Sequence, residues 1–271
     1  MVPELEGRSQ KPAAGLSLAL SGGGARGIAH LGVLAALEEL AIPVGRLAGV
    51  SSGAIAATFY AAGFAPREIL RLLQTTNVVR LTRPVFSRHG LLGLDAVEQL
   101  LARHLGQQLR FEDLNRPLTL AATDLRAGET VYFSEGPLLL PLLASSAVPI
   151  LYRPIEYQGR LLVDGGLLNN LPVEPLLGPP GSPPVVGVHC NPLNREARLP
   201  TLRRVIERTL QLAIHANTVA SQAQCALLLE PPELLNYRPL DYRKAAELYA
   251  VGYRYALSQA AALRALLPTG I

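Results

Sequence analysis

Three short segments carry residues able to do acyl-transfer chemistry. The first is Gly49-Val50-Ser51-Ser52-Gly53, set between a short apolar run and Ala54-Ile55-Ala56-Ala57. That order reads as strand, sharp turn, helix, and it presents the Ser51 hydroxyl where an acyl carbonyl can be attacked. Gly49 and Gly53 allow the turn to close tightly. Ser52 is a rival hydroxyl, but it holds the turn position that packs inward. A lone Gly-x-Ser-x-Gly is a common accident in a chain with 24 glycines, so its place between strand and helix carries the argument.

The second segment is Ser21-Gly22-Gly23-Gly24-Ala25-Arg26-Gly27. Consecutive glycines after a strand let backbone N–H groups converge on an anion, and the following helix adds its own free N–H groups and positive end. Phosphate binding and an oxyanion hole both use such a loop, and taken alone it is as often merely structural. A phosphate-binding P-loop would end in Gly-Lys-Ser or Gly-Lys-Thr, which is missing. A dinucleotide site would want an acidic residue after the second strand, where Ser51 stands. The oxyanion role fits best, because the nucleophile candidate lies on the next strand.

The third is Asp164-Gly165-Gly166, at the end of the strand Leu161-Leu162-Val163. An aspartate there is also a frequent cap or turn former. Gly165 and Gly166 let the backbone turn beside another group, and parallel sheets collect their sites at strand carboxyl ends, where Asp164 and Ser51 can meet. A serine needs a base. Of His30, His89, His104, His189 and His215, only His189 sits near the end of an apolar strand, and no spacing suggests a metal site. A carboxylate within hydrogen-bond reach can serve instead, its weakness at neutral pH offset by oxyanion stabilisation.

The elements that must position these residues read as follows. Leu16–Leu20 is a first strand, Ile28–Leu40 a helix, Arg46–Val50 a second strand and Ser52–Ala61 a helix, with Pro66 opening another. This βαβα order implies a parallel sheet with helices on its faces. Leu94–Leu105 has helical spacing, Leu118–Thr123 and Thr130–Phe133 pair across Gly128, and Leu138–Ser146 looks helical. Val185–Cys190 is apolar on both faces and so central. Leu202–Ala223 is a long helix, Ala226–Leu229 a late strand, and Tyr242–Leu267 one or two closing helices. The chain of 271 residues, 49% apolar and 17% charged, suits one large α/β domain over residues 15–271 behind an N-terminal extension, residues 1–14.

Together the segments resemble the patatin-like phospholipase family. The match rests on Gly22-Gly23-Gly24-Ala25-Arg26-Gly27, Gly49-Val50-Ser51-Ser52-Gly53 and Asp164-Gly165-Gly166. Ala144-Ser145-Ser146-Ala147-Val148-Pro149 and Asn169-Asn170-Leu171-Pro172 add to it. The resemblance implies a three-layer α/β/α fold with a central, mostly parallel sheet and a Ser–Asp dyad without catalytic histidine. It implies Ser51 as nucleophile, Asp164 as base, and oxyanion donors from Gly22, Gly23 and Gly24 with Ala25 close by. Arg26 matches the motif's arginine and would hold the loop against a carboxylate or a carbonyl. Hydrolysis of lipid acyl esters is the implied activity, of phospholipase A or lysophospholipase type, with no metal or cofactor. A short-chain ester or thioester hydrolase, a non-catalytic lipid-binding protein and a nucleotide-binding protein are the alternatives.

The net charge of +4 comes without a lysine-rich block, which argues against a nucleic-acid partner. Cys190 and Cys225 read as two buried thiols. The first ten residues do not resemble a signal peptide and no apolar run marks a membrane span, so the expected location is cytoplasmic. Residues 78–94 mix Val, Leu and Phe with Arg80, Arg83, Arg88 and His89. They read either as a mobile flap in peripheral contact with a membrane or as an ordinary connecting loop.

Overall fold

The computed structural model describes residues 15–75, 84–87, 90–92, 95–194, 196 and 200–267. Its strands are β1 (Leu16–Leu20), β2 (Val44–Gly49), β3 (Pro84–Ser87), β4 (Gly90–Leu92), β5 (Leu118–Asp124), β6 (Glu129–Phe133), β7 (Ile155–Tyr157), β8 (Arg160–Asp164), β9 (Val185–Val188) and β10 (Leu227–Leu229). The main sheet has the order β10-β9-β1-β2-β5-β8-β7, with β6 paired to β5. The run from β10 to β5 is parallel, and β6 and β8 run antiparallel to β5. β1 is buried along its whole length, as an apolar strand with parallel neighbours on both edges must be.

The helices are α1 (Ile28–Glu39), α2 (Ser52–Ala61), α3 (Pro66–Thr75), α4 (Asp95–Leu105), α5 (Leu139–Ser145), α6 (Leu202–Ala223), α7 (Ala245–Ser258) and α8 (Ala260–Ala265). Helices cover both faces of the sheet. On one face α1 is almost wholly buried beneath α7. These two cross in backbone contact, since a Cβ on Gly252 would lie 2.0 Å from the Ala29 carbonyl oxygen. On the other face Leu171, Val173 and Leu176 pack on Ala19, Ala48 and Val185, with α6 outside them.

Most expected elements appear within two residues of their expected ends. The difference that matters is β8. It is not another parallel strand but the second arm of a hairpin with β7, turned by Gln158 and Gly159, both at positive φ. Residues 1–14 lie outside the described residues. Of the segment 78–94, residues 84–87 and 90–92 pair as a two-stranded antiparallel ladder, and the rest lies outside the described residues.

Candidate active site

Ser51 stands between the end of β2 and the start of α2, with φ 54° and ψ −126°. A non-glycine residue holds such a backbone only where its surroundings enforce it. Here its N–H donates to the Ser145 carbonyl at 3.0 Å and to Ser145 Oγ at 3.1 Å. Helix α2 can pass this close to β1 because Gly53 has no side chain; a Cβ there would lie 2.3 Å from the Leu20 carbonyl oxygen. Gly49 packs equally tightly against the backbone of Gly53 and Ala54. Ser52 turns inward, its Oγ buried against Gly27. The N-terminus of α2 directs its partial positive charge toward the Ser51 turn.

Strand register brings Asp164 to this turn. β2 pairs with β5 only as far as Gly49 opposite Leu120. β6 occupies one edge of β5 across residues 120–124, so β8, pairing with residues 122–124, shares the other edge with β2. β2 and β8 therefore approach each other end to end along β5. Asp164 sits opposite Ala122, two residues beyond Leu120, as Ser51 is two residues beyond Gly49. Ser51 and Asp164 meet where a parallel and an antiparallel strand converge, rather than at the carboxyl ends of two parallel strands.

The Asp164 carboxylate is buried and accepts hydrogen bonds from the Ser51 side chain and from the Gly166 N–H, the latter at 2.8 Å. Burial pushes its pKa up to about 6, against the lowering effect of those two donors. At pH 7 it is ionised yet more basic than an ordinary carboxylate, which suits proton abstraction from an adjacent hydroxyl. Its backbone N–H donates to the Ala147 carbonyl at 2.9 Å, and Gly165 lies on β5 against Ala121 and Val50.

The glycine-rich loop closes the third side. A Cβ on Gly22 would lie 3.2 Å from Ser51 Cβ. The Gly22 N–H donates to the Asn170 carbonyl at 3.3 Å, and the Ala25 N–H to the Pro239 carbonyl at 2.7 Å. The N–H groups of Gly23 and Gly24 find no acceptor among the described residues, and Gly24 takes a φ of +57° beneath Pro239. Arg26 is buried and its Nε donates to the Tyr237 carbonyl at 2.8 Å, so it ties the loop to a carbonyl rather than a carboxylate. Asn170 lies between the two glycine turns, its Oδ1 facing both Gly22 and Gly166. Ser145 and Asn170 carry no role in the sequence reading beyond their place in the resemblance. Their contacts run partly through backbone carbonyls, which leave no mark in residue type, and partly through Ser145 Oγ and Asn170 Oδ1.

No histidine among the described residues bonds the Ser51 hydroxyl. The buried His30 donates from Nε2 to the Ser21 carbonyl at 2.8 Å, and burial lowers its pKa to about 4. His189 bonds Glu230 through Nδ1 at 2.5 Å, beside Gln222. His215 lies on α6 and His104 on α4, and His89 is outside the described residues.

A family model described as "Patatin-like phospholipase" matches residues 18–177, a stretch that holds Ser51, Asp164 and the whole glycine-rich loop. The chain belongs to the patatin-like phospholipase family. Among its relatives, the "Uncharacterized NTE family protein Rv1063c" of Mycobacterium tuberculosis is 40% identical over 171 residues, covering 60% of this chain and 46% of the relative. Human "Patatin-like phospholipase domain-containing protein 6" is 27% identical over 281 residues, covering 89% of this chain and 20% of that one. The chain thus spans about half the length of the mycobacterial relative. Among solved structures, VipD from Legionella pneumophila shares the fold at a TM-score of 0.61 and 14% identity, covering 93% of this chain and 67% of VipD. Among the described residues of this patatin-like chain, no helix is long and apolar enough to cross a membrane.

Proposed function

We propose that the protein is a serine acyl hydrolase that cleaves carboxylic ester bonds of lipids, of phospholipase A or lysophospholipase type, in one unit over residues 15–271. The observation that carries this reading is the hydrogen bond from the Ser51 side chain to the buried Asp164 carboxylate, beside two unengaged N–H groups. Asp164 takes the hydroxyl proton as Ser51 Oγ attacks the acyl carbonyl. The tetrahedral oxyanion is held by the Gly23 and Gly24 N–H groups, each worth about 3 kcal/mol to the transition state. Collapse expels the alcohol or lysolipid, which takes the proton from Asp164. A water molecule then gives a proton to Asp164 and attacks the acyl-serine, releasing the fatty acid and returning the proton to Ser51. The lipid substrate class is supported by the family and by the phospholipase named in its human member.

Hydrolysis of a para-nitrophenyl acyl ester by the purified protein tests this reading. Ser51→Ala abolishes turnover and labelling by a covalent serine probe with the fold intact. Asp164→Asn is nearly inactive, and His189→Ala keeps most of its activity. Near-normal turnover by Ser51→Ala would sink the assignment, and a dead His189→Ala would move the base to histidine.

A further inference from the structure

The glycine-rich loop is flanked on both sides by the ends of neighbouring strands. In the sheet order β9-β1-β2, Leu20 lies opposite Gly49 on β2 and Val188 on β9. Two residues on, Gly22 stands between the Ser51 turn and Cys190, and the Gly22–Gly23 peptide reaches the level of Asn191. Pro192 disfavours helical backbone at Asn191 and keeps the chain extended past β9.

The Gly22 carbonyl is held from the β9 flank. Asn191 Nδ2 donates to it at 2.8 Å and Ser21 Oγ at 3.0 Å. Ser21 Oγ itself accepts the Cys190 N–H at 2.9 Å, which aims its proton at Gly22. Asn191 must present its nitrogen here, because Oδ1 would set two acceptors against each other. In a trans peptide the C=O and the following N–H point in opposite directions, and no described peptide bond is cis. The Gly23 N–H is therefore turned to the β2 flank, where Ser51 stands. The same alternation runs just upstream: the Leu20 carbonyl accepts the Val50 N–H, and the Ser21 N–H donates to the Val188 carbonyl. The next peptide is fixed within the loop itself, since the Gly23 carbonyl accepts the Arg26 N–H at 3.2 Å. Of the two unengaged donors, Gly23 is the one whose direction depends on a side chain from a distant segment.

We propose that Asn191 is a positioning residue of the acyl-hydrolase site: its amide fixes the Gly22–Gly23 peptide so that the Gly23 N–H points at the oxyanion. This deepens the hydrolase reading and rests on it. Glycine on both sides gives the peptide little resistance to rotation. Rotated, it would turn a carbonyl oxygen toward the oxyanion in place of a donor.

Steady-state hydrolysis of a soluble para-nitrophenyl ester by the full chain tests this role. Asn191→Ala leaves the Ser21 bond in place and should lower kcat roughly tenfold. Asn191→Asp keeps the shape but sets a carboxylate against the Gly22 carbonyl, and should lower kcat roughly a hundredfold, as loss of one oxyanion donor does. KM and the near-UV circular dichroism spectrum should stay those of the parent. Affinity for a trifluoromethyl ketone, whose adduct with a serine carries the same oxyanion, should fall by the same factor as kcat/KM, which a loosened fold would not reproduce. A crystal structure of Asn191→Asp should show the Gly22 carbonyl turned away from residue 191. Unchanged kcat in both variants, a loss confined to KM, undiminished ketone affinity or an unmoved Gly22–Gly23 peptide overturns the proposal and leaves the hydrolase reading standing. A parent that neither turns over the ester nor binds the ketone overturns that reading, and this role with it.

Discussion

Ser145 holds Ser51 by its backbone: the Ser51 N–H meets both the Ser145 carbonyl and Ser145 Oγ, at 3.0 and 3.1 Å. Two residues on, the Ala147 carbonyl accepts the Asp164 N–H at 2.9 Å. One short segment at the end of α5 therefore sets the positions of both Ser51 and Asp164. It also engages the Ser51 N–H, so that in the proposed mechanism oxyanion stabilisation falls to the glycine-rich loop.

Ser145→Ala removes one of the two acceptors and leaves the other. The expected loss is about 1 kcal/mol of positioning, read as a roughly fivefold fall in kcat with KM unchanged. Steady-state kinetics on a soluble ester separate the two constants. A change confined to KM would show that Ser145 contacts substrate instead.

With Asp164 as the proposed base, its raised pKa sets a pH limit on the reaction. The base must be ionised, so kcat/KM should be level at neutral pH and fall about tenfold per unit below a midpoint near 6. His30, with its pKa near 4, is neutral throughout that window. A midpoint at the ordinary aspartate value would mean that the carboxylate is solvated in the working enzyme.

The same burial makes the ionised Asp164 carboxylate costly to the fold. A group whose pKa is raised by folding contributes stability that is fully present below its unfolded value of 3.8 and lost as pH rises through about 6. Asp164→Asn removes that cost and should stabilise the protein at pH 7 by up to about 3 kcal/mol while abolishing activity. Urea denaturation of parent and variant at several pH values measures the difference, which should narrow between pH 6 and pH 4. An unchanged difference across that range would remove Asp164 ionisation as its cause.

Gly22→Ala tests the packing of the loop on the nucleophile. The new Cβ would lie 2.5 Å from Asn170 Oδ1 and 3.2 Å from Ser51 Cβ, so Asn170 or the loop must shift. A displacement of about 1 Å at the oxyanion donors should cost roughly a hundredfold in kcat. A crystal structure of the variant would show which group moves, and full activity would mean that the donors tolerate the shift.

The parts of this protein legible in its sequence are those whose cause is local. β1 with its glycine-rich turn and α1, and β2 with Ser51 and α2, each hold strand, turn and helix signals in one short window. Their steric demands fall on residue type, as Gly53 against Leu20 illustrates. Asp164 was recognisable as a candidate by the same local logic, but its route to Ser51 was not. That route depends on β8 running antiparallel and sharing an edge of β5 with β2, which the short Ile155–Tyr157 strand and a Gln158–Gly159 turn barely signal. The division of labour within the loop lay further out of reach. Asn170 and Pro239 engage the N–H groups of Gly22 and Ala25 through their carbonyl oxygens, leaving Gly23 and Gly24 unengaged. Every residue carries the same carbonyl, so the residue types mark out the chemistry, and only the packing of distant segments decides which backbone groups stay open to perform it.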